Sequence, residues 1–253
     1  MKMLCKLGRK EMRLDARTFK VEDYIQAVPA APPVVDWTKS VPAYGMLCND
    51  KLSCCVIAGM MHLAMQQRAA AGLRVVMPTQ AEVIAAYSAI GGYVPGDPGT
   101  DNGCVMLDAM NYWRKNGLVF GGVKHVITAF ASVKLHQEPL EASAVWLFGG
   151  GLDGLDLPVA AQGASDWKTP PNLRGRNAPG SWGGHCVDVA GVNTPGRFLK
   201  PVTWGATMPE DQGFREVYCV ESYVVFTPEW IEANLSAPCG FNADQLMQDL
   251  KAL

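Results

Sequence analysis

Two adjacent cysteines, Cys54 and Cys55, stand where a polar loop, Asn49 to Ser53, gives way to an apolar run that reads as a helix. The first-turn N–H groups of a helix are unpaired and its dipole is positive there. A thiol at that junction is favoured as thiolate, the reactive form of cysteine. Just upstream, Asn49 and Asp50 offer side chains that can help to hold a developing oxyanion. About 130 residues further on, a lone histidine, His185, stands in the strand-like segment Gly183-Gly-His-Cys-Val-Asp-Val189, and Val202-Thr-Trp-Gly205 follows it. A thiol with an imidazole is a nucleophile with its base, and the chemistry it suits is acyl transfer through a covalent intermediate.

Adjacent residues on a helix point about 100° apart, so only one of the two cysteines faces a cleft. Cys55 is the favoured nucleophile; the alternative is that both are simply packed. His62 lies on the same helical face but roughly 10 Å along the axis from Cys55, too far to be its base. On a strand, alternation puts His185, Val187 and Val189 on one face and Asp188 on the other, so Asp188 is a poor orienter of His185. In the next strand the same alternation sets Thr203 opposite Val202 and Trp204. Glu221 lies in an otherwise apolar strand, where a carboxylate must be paired or near the surface. His125 and His136 read as ordinary strand and loop residues. A metal site is the competing constellation, from Cys48, Cys54, Cys55 and His62. Its C-x5-C-C spacing is not a usual zinc pattern and a helix splits the ligands, so no metal and no other cofactor is expected.

The elements that must position these groups follow from the pattern. The chain has 253 residues, is 49% hydrophobic and 18% charged, and carries 26 Gly and 17 Pro, a globular composition with many loops. A net charge of −2 gives no basic field for nucleic acid, and no apolar run is long enough to span a bilayer. Residues 1–20 are rich in Lys and Arg and read as a solvated or partner-bound arm, and 1–35 as a basic arm with a proline-rich lead-in. The N-terminus lacks the apolar core of a signal peptide, so synthesis in a bacterial cytoplasm is expected. The eight scattered cysteines read mostly as buried small hydrophobes.

Helices are expected over 55–71, from the capping box Thr79-Gln-Ala-Glu82 to about Ile90, over 105–116 and over 139–148. Strands are expected over 124–133, 155–162, 185–193, 198–204 and 217–227, with a long loop over 163–184. A helical turn is expected over 228–234 and a tail helix over 242–253. Helices first and strands later imply an α+β fold. It divides into a helical half (36–120) with Cys55, a β-rich half (121–234) with His185, and a C-terminal tail (235–253).

At these residues the chain resembles the papain-like cysteine peptidases. It is most similar to papain-like proteins of tailed phages and prophages, with the pattern M-L-G-N-D-x-x-G-D-C-x-x-A-A-x-x-H, then W-R-x-x-G, G-G-H-A-V and T-W-G. Here these read Met46-Leu-Cys-Asn-Asp-Lys-Leu-Ser-Cys-Cys-Val-Ile-Ala-Gly-Met-Met-His62, Trp113-Arg-Lys-Asn-Gly117, Gly183-Gly-His-Cys-Val187 and Thr203-Trp-Gly205. The resemblance spans roughly residues 36–232. It implies a papain-like fold, a helical half followed by a barrel-like β-rich half with the cleft between them. It places Asn49 at the oxyanion-hole glutamine and Trp204 at the tryptophan covering the third triad member. The chain departs from the pattern at Val56, where the family has tryptophan, and at Val202, where it has the triad asparagine. Thr203 and Glu221 are the candidates to replace that asparagine.

Two readings follow. In the first, the chain is a thiol hydrolase of polypeptide or peptidoglycan-peptide substrates. Cys55 attacks, His185 is base and then acid, and Asn49 with the Cys55 N–H forms the oxyanion hole. In the second, it is a papain-fold structural protein of a phage virion, with the Cys–His pair vestigial and neighbouring phage proteins as partners. Neither requires a membrane or nucleic acid.

Overall fold

The computed structural model describes residues 5–24, 28–228, 245, 248 and 249. Two short strands, β1 (Phe19–Lys20) and β2 (Val34–Asp36), precede helix α1 (Cys55–Ala70). Apolar residues surround α1, and every residue from Cys55 to Gln67 is buried, as expected of a helix without a polar face. Helix α2 (Gln80–Gly91) starts at the capping box, with the Thr79 hydroxyl and the Glu82 carboxylate satisfying each other's backbone N–H. Helix α3 (Met106–Asn116) stops at Gly117, whose φ is +74°. These three helices share one core with Leu118, Phe120, Leu152 and Cys186.

The β-rich half is less regular than its periodicity suggests. The single strand expected over 124–133 is two pieces. Strands β3 (Leu118–Phe120) and β4 (Val123–His125) form a hairpin of their own, and β5 (Ala129–Ser132) joins the main sheet. Helix α4 (Glu138–Leu147) has Pro139 in its first turn. Strand β6 (Gly151–Leu157) begins earlier than expected, inside the glycine run, and ends before Pro158. Glycine has low strand propensity, which hides β6 from a reading of propensities. Next come β7 (Gly183–Asn193), β8 (Phe198–Thr203), β9 (Ala206–Thr207) and β10 (Glu210–Asp211). The strand expected from residue 217 is preceded by α5 (Gln212–Tyr218), whose first turn is capped by the Asp211 carboxylate accepting from the Phe214 N–H at 2.7 Å. Strand β11 (Cys219–Phe226) follows.

The described strands run in the order β1-β5-β11-β6-β7-β8-β10, with β2 on β7 and β9 on β8. Among the described strands the path does not close on itself. Long strand β7 lies between β6 and β8 and packs against α1. The start of α1 and the start of β7 are thereby brought to one place. The buried guanidinium of Arg215 on α5 ties the layers beneath, pairing with Asp153 of β6 and Glu141 of α4, each at 2.6 Å. The fold is α+β. The turn expected over 228–234 and the tail helix over 242–253 lie almost wholly outside the described residues.

Candidate active site

Cys55 is the first residue of α1 and is 1% exposed. Its sulfur receives backbone N–H groups from Val56 in its own first turn, from Cys186 on β7 and from Gly8 of the N-terminal segment. The helix start was expected to favour the thiolate. Here burial outweighs those donors and the nearby Arg9 charge, and pushes the Cys55 thiol up to about 11. Cys54, the N-cap, points elsewhere and donates to the Leu47 carbonyl at 3.3 Å.

His185 lies on β7, one residue before the Cys186 amide that reaches Cys55. It is fully buried. Its Nε2 lies 2.6 Å from the Thr203 hydroxyl, and its Nδ1 has no hydrogen-bond partner among the described residues. The Trp204 ring stacks on the imidazole at 4.5 Å between centroids and 17° between planes. Strand alternation put Thr203 and Trp204 on opposite faces, yet both reach His185. The strand ends at Thr203, and Trp204 takes a left-handed φ of +48° that turns its ring back over the histidine. Burial, and then the charge of Arg9, bring the imidazole down to about 3.

Asn49 is buried in the loop before α1. Its Nδ2 donates to the Lys6 carbonyl at 3.2 Å and to the Leu52 carbonyl at 3.3 Å. Of the two candidates for the missing triad asparagine, Thr203 meets His185 and Glu221 does not. Glu221 faces the guanidinium of Arg9 instead, at 3.0 Å. Asp188 makes no hydrogen bond with His185, and both its oxygens are buried without a partner among the described residues. His62 pairs with the Gly45 carbonyl at 2.9 Å, well away from the two cysteines. No group of His, Cys, Asp or Glu among the described residues is arranged to hold a metal ion.

The sequence did not reveal what covers the site. Residues 5–10 were read as part of a solvated or partner-bound arm; they lie against the loop before α1 and the start of β7. The Lys6 N–H donates to the Asn49 carbonyl at 3.1 Å. The Gly8 and Arg9 N–H groups both donate to the Gly184 carbonyl, at 3.1 and 3.0 Å. Cys104 donates to the Gly8 carbonyl and accepts from the Lys10 N–H, each at 2.8 Å, a parallel bridge centred on Arg9. Glycine is required at position 8, because a Cβ there would collide with the Ser53 carbonyl. The Arg9 side chain, 3% exposed, pairs with Glu221 and with Asp156 of β6. Glu221 carried a signal, since a carboxylate in an apolar strand needs a partner. Nothing in the sequence named Arg9 as that partner.

The arm is not seated as a substrate. The group it presents to the Cys55 sulfur is the Gly8 N–H, and the carbonyl it offers to Asn49 is that of Lys6. Nucleophilic attack needs one peptide carbonyl at both places, so the arm covers the thiol without offering it a bond to cut.

No family model matches the chain and no curated protein matches it. Solved structures do. Xylellain, a cysteine protease from Xylella fastidiosa, superposes with a TM-score of 0.68 at 14% identity, over 90% of this chain and 98% of that one. Procathepsin B S9 from Trypanosoma congolense gives 0.60 at 13% identity, over 88% and 86%. The Carica candamarcensis cysteine protease CMS1MS2 in complex with E-64 gives 0.55 at 12%, over 77% and 98%. These neighbours are cysteine proteases, and what the chain shares with them is the papain-like α+β fold.

Proposed function

We propose that the chain is a papain-like thiol hydrolase, a cysteine peptidase or amidase acting on polypeptides. The observation that carries the reading is the placement of Cys55, at the start of α1, against Cys186, the residue that follows His185 on β7. The thiol at the start of a buried helix receives the amide beside His185, while the ring has one nitrogen held by Thr203 and the other unpartnered. With the arm withdrawn and a peptide in its place, His185 Nδ1 takes the thiol proton as Cys55 Sγ bonds to the scissile carbonyl carbon. Asn49 Nδ2 and the Cys55 N–H hold the oxyanion. The imidazolium returns its proton to the departing nitrogen as the C–N bond breaks, leaving a thioester. Water, deprotonated by His185, then bonds to the acyl carbon, the S–C bond breaks, and the thiol recovers the proton. Thr203 orients the ring and Trp204 shields it.

The phage or prophage origin is proposed on the motif set from Met46 to Gly205, with synthesis in a bacterial cytoplasm. The covered thiol supports a second reading within that setting, a virion protein that keeps the fold without turnover.

The test is cleavage of a mixed peptide library by full-length Arg9→Ala protein, with new termini read by mass spectrometry, and Cys55 alkylation by iodoacetamide across pH. Cleavage that disappears in Cys55→Ala, with labelling slowed by His185→Ala, supports the hydrolase. No cleavage, with labelling that rises only near an ordinary thiol value of about 8.5 and ignores His185→Ala, overturns it in favour of the second reading.

A further inference from the structure

The side chain beside the thiol sits in a pocket with a defined chemistry. Its floor is the Glu221 carboxylate, 2% exposed, and its mouth is Asp156, 36% exposed. Gly154 lies between them. A Cβ at Gly154 would approach the Glu221 Cγ to 2.6 Å and the Arg9 Cδ and Met106 Sδ to 2.8 Å each, so the pocket exists because that position has no side chain. The aliphatic stem of Arg9 runs past Met106 and Gly154, and its two terminal nitrogens reach the two carboxylates. A long stem ending in a planar fork with several donors is what this shape fits, and arginine has it. The fit of Arg9 is incomplete: its Nε is buried without an acceptor among the described residues, a cost that weakens this occupant. Outside Arg9 the pocket opens into a groove of about 470 Å³ lined by Glu11, Met12, Asp156, Gly183 and Val220. A longer peptide can therefore continue from the same pocket.

We infer that the Asp156–Glu221 pocket is the specificity pocket of this cleft, that it takes an arginine side chain of a polypeptide near the bond to be cut, and that Arg9 of the chain's own arm holds that place until a substrate displaces it. The inference deepens the thiol-hydrolase reading and rests on it for its use, but the pocket's preference is measured without turnover. The two carboxylates are the groups that discriminate. A leucine side chain leaves both unpaired, a glutamate repels them, and a lysine reaches only one at a time.

The experiment uses full-length Cys55→Ser/Arg9→Ala protein, which cannot form a thioester and has an empty pocket. Fluorescent hexapeptides identical but for one central residue, Arg, Lys, Leu or Glu, are titrated by anisotropy. The arginine peptide is expected to bind about tenfold or more tighter than the leucine and glutamate peptides. Adding Asp156→Asn and Glu221→Gln should bring it to the leucine level, with the fold checked by circular dichroism. Should the buried Glu221→Gln change unfold the protein, Asp156→Asn alone serves, and a severalfold loss confined to the arginine peptide is then expected. Equal affinity for all four peptides, no measurable binding of any, or an arginine preference that survives loss of the carboxylates would overturn the inference. Selective arginine binding without cleavage by the Cys55 protein overturns the hydrolase and leaves the pocket standing. Cleavage without arginine preference does the reverse.

Discussion

The Nε2 of His185 lies 2.6 Å from the Thr203 hydroxyl, a contact that occupies one of its two ring nitrogens. With Nε2–H donating to Thr203, the lone pair is on Nδ1, the nitrogen without a partner. Thr203→Val keeps the shape and removes the acceptor. It is expected to lower kcat/KM of the Arg9→Ala protein about 10- to 100-fold, less than Cys55→Ala, which abolishes turnover. Nitrogen-15 spectra of the imidazole should report a fixed Nε2–H tautomer with threonine and a mixture with valine.

The covering arm is predicted to control access to Cys55. A side chain at position 8 would collide with the Ser53 carbonyl, so Gly8→Val cannot seat the arm. Iodoacetamide labelling of Cys55 near pH 7 should rise at least about tenfold in Gly8→Val, and the pH at which labelling begins should fall well below the value of about 11 that burial imposes. Labelling unchanged from wild type would show that the arm does not limit access.

Acid should destabilise the fold through its buried imidazoles. Burial lowers His62 to about 4 and His185 to about 3, against 6.5 for the ordinary group. A lowered imidazole stabilises the fold in full above the unfolded value and loses that contribution as pH falls through the folded one. Between about pH 6.5 and 4, the unfolded chain thus takes up protons the folded one refuses. His62→Gln retains a donor for the Gly45 carbonyl and should remove one proton from this slope, ~3 kcal/mol across the window. Urea unfolding at a series of pH values measures it.

Alkali should act through Asp188. Its carboxyl oxygens are buried without a partner, and burial, with the nearby Asp153 charge, raises it well above the usual carboxylate range. A raised carboxyl contributes its stability below the unfolded value, and that contribution declines as pH rises toward the folded one. Asp188→Asn removes this dependence and should raise stability at about pH 8 by ~1–3 kcal/mol, with little change at about pH 4. A loss of stability at both pH values would mean that the carboxyl is bonded in a way the geometry does not show.

The parts of this molecule legible in sequence are those with local causes. The loop-to-helix junction at Cys55, the capping box at Thr79 and Glu82, and the pair of glycines before His185 each declare themselves within a few residues. Thr203 was legible as one of two options, and Trp204 was misplaced because a strand's alternation was carried one residue past the strand's end. Strand β6 hid in a glycine run, and α5 was too short to give a period. The seat of Arg9 was illegible for a different reason: its partners come from β6 and β11, and only the folded sheet sets them side by side.

That distance along the chain also fixes an order of events during synthesis. Arg9 pairs with residues 147 and 212 positions after it. Arg9 must therefore wait for residues made much later before it can be placed. The Arg9 side chain reaches both of its carboxylates only after β11 has joined the sheet. Every nascent chain short of that strand leaves the Arg9 guanidinium without its Glu221 partner.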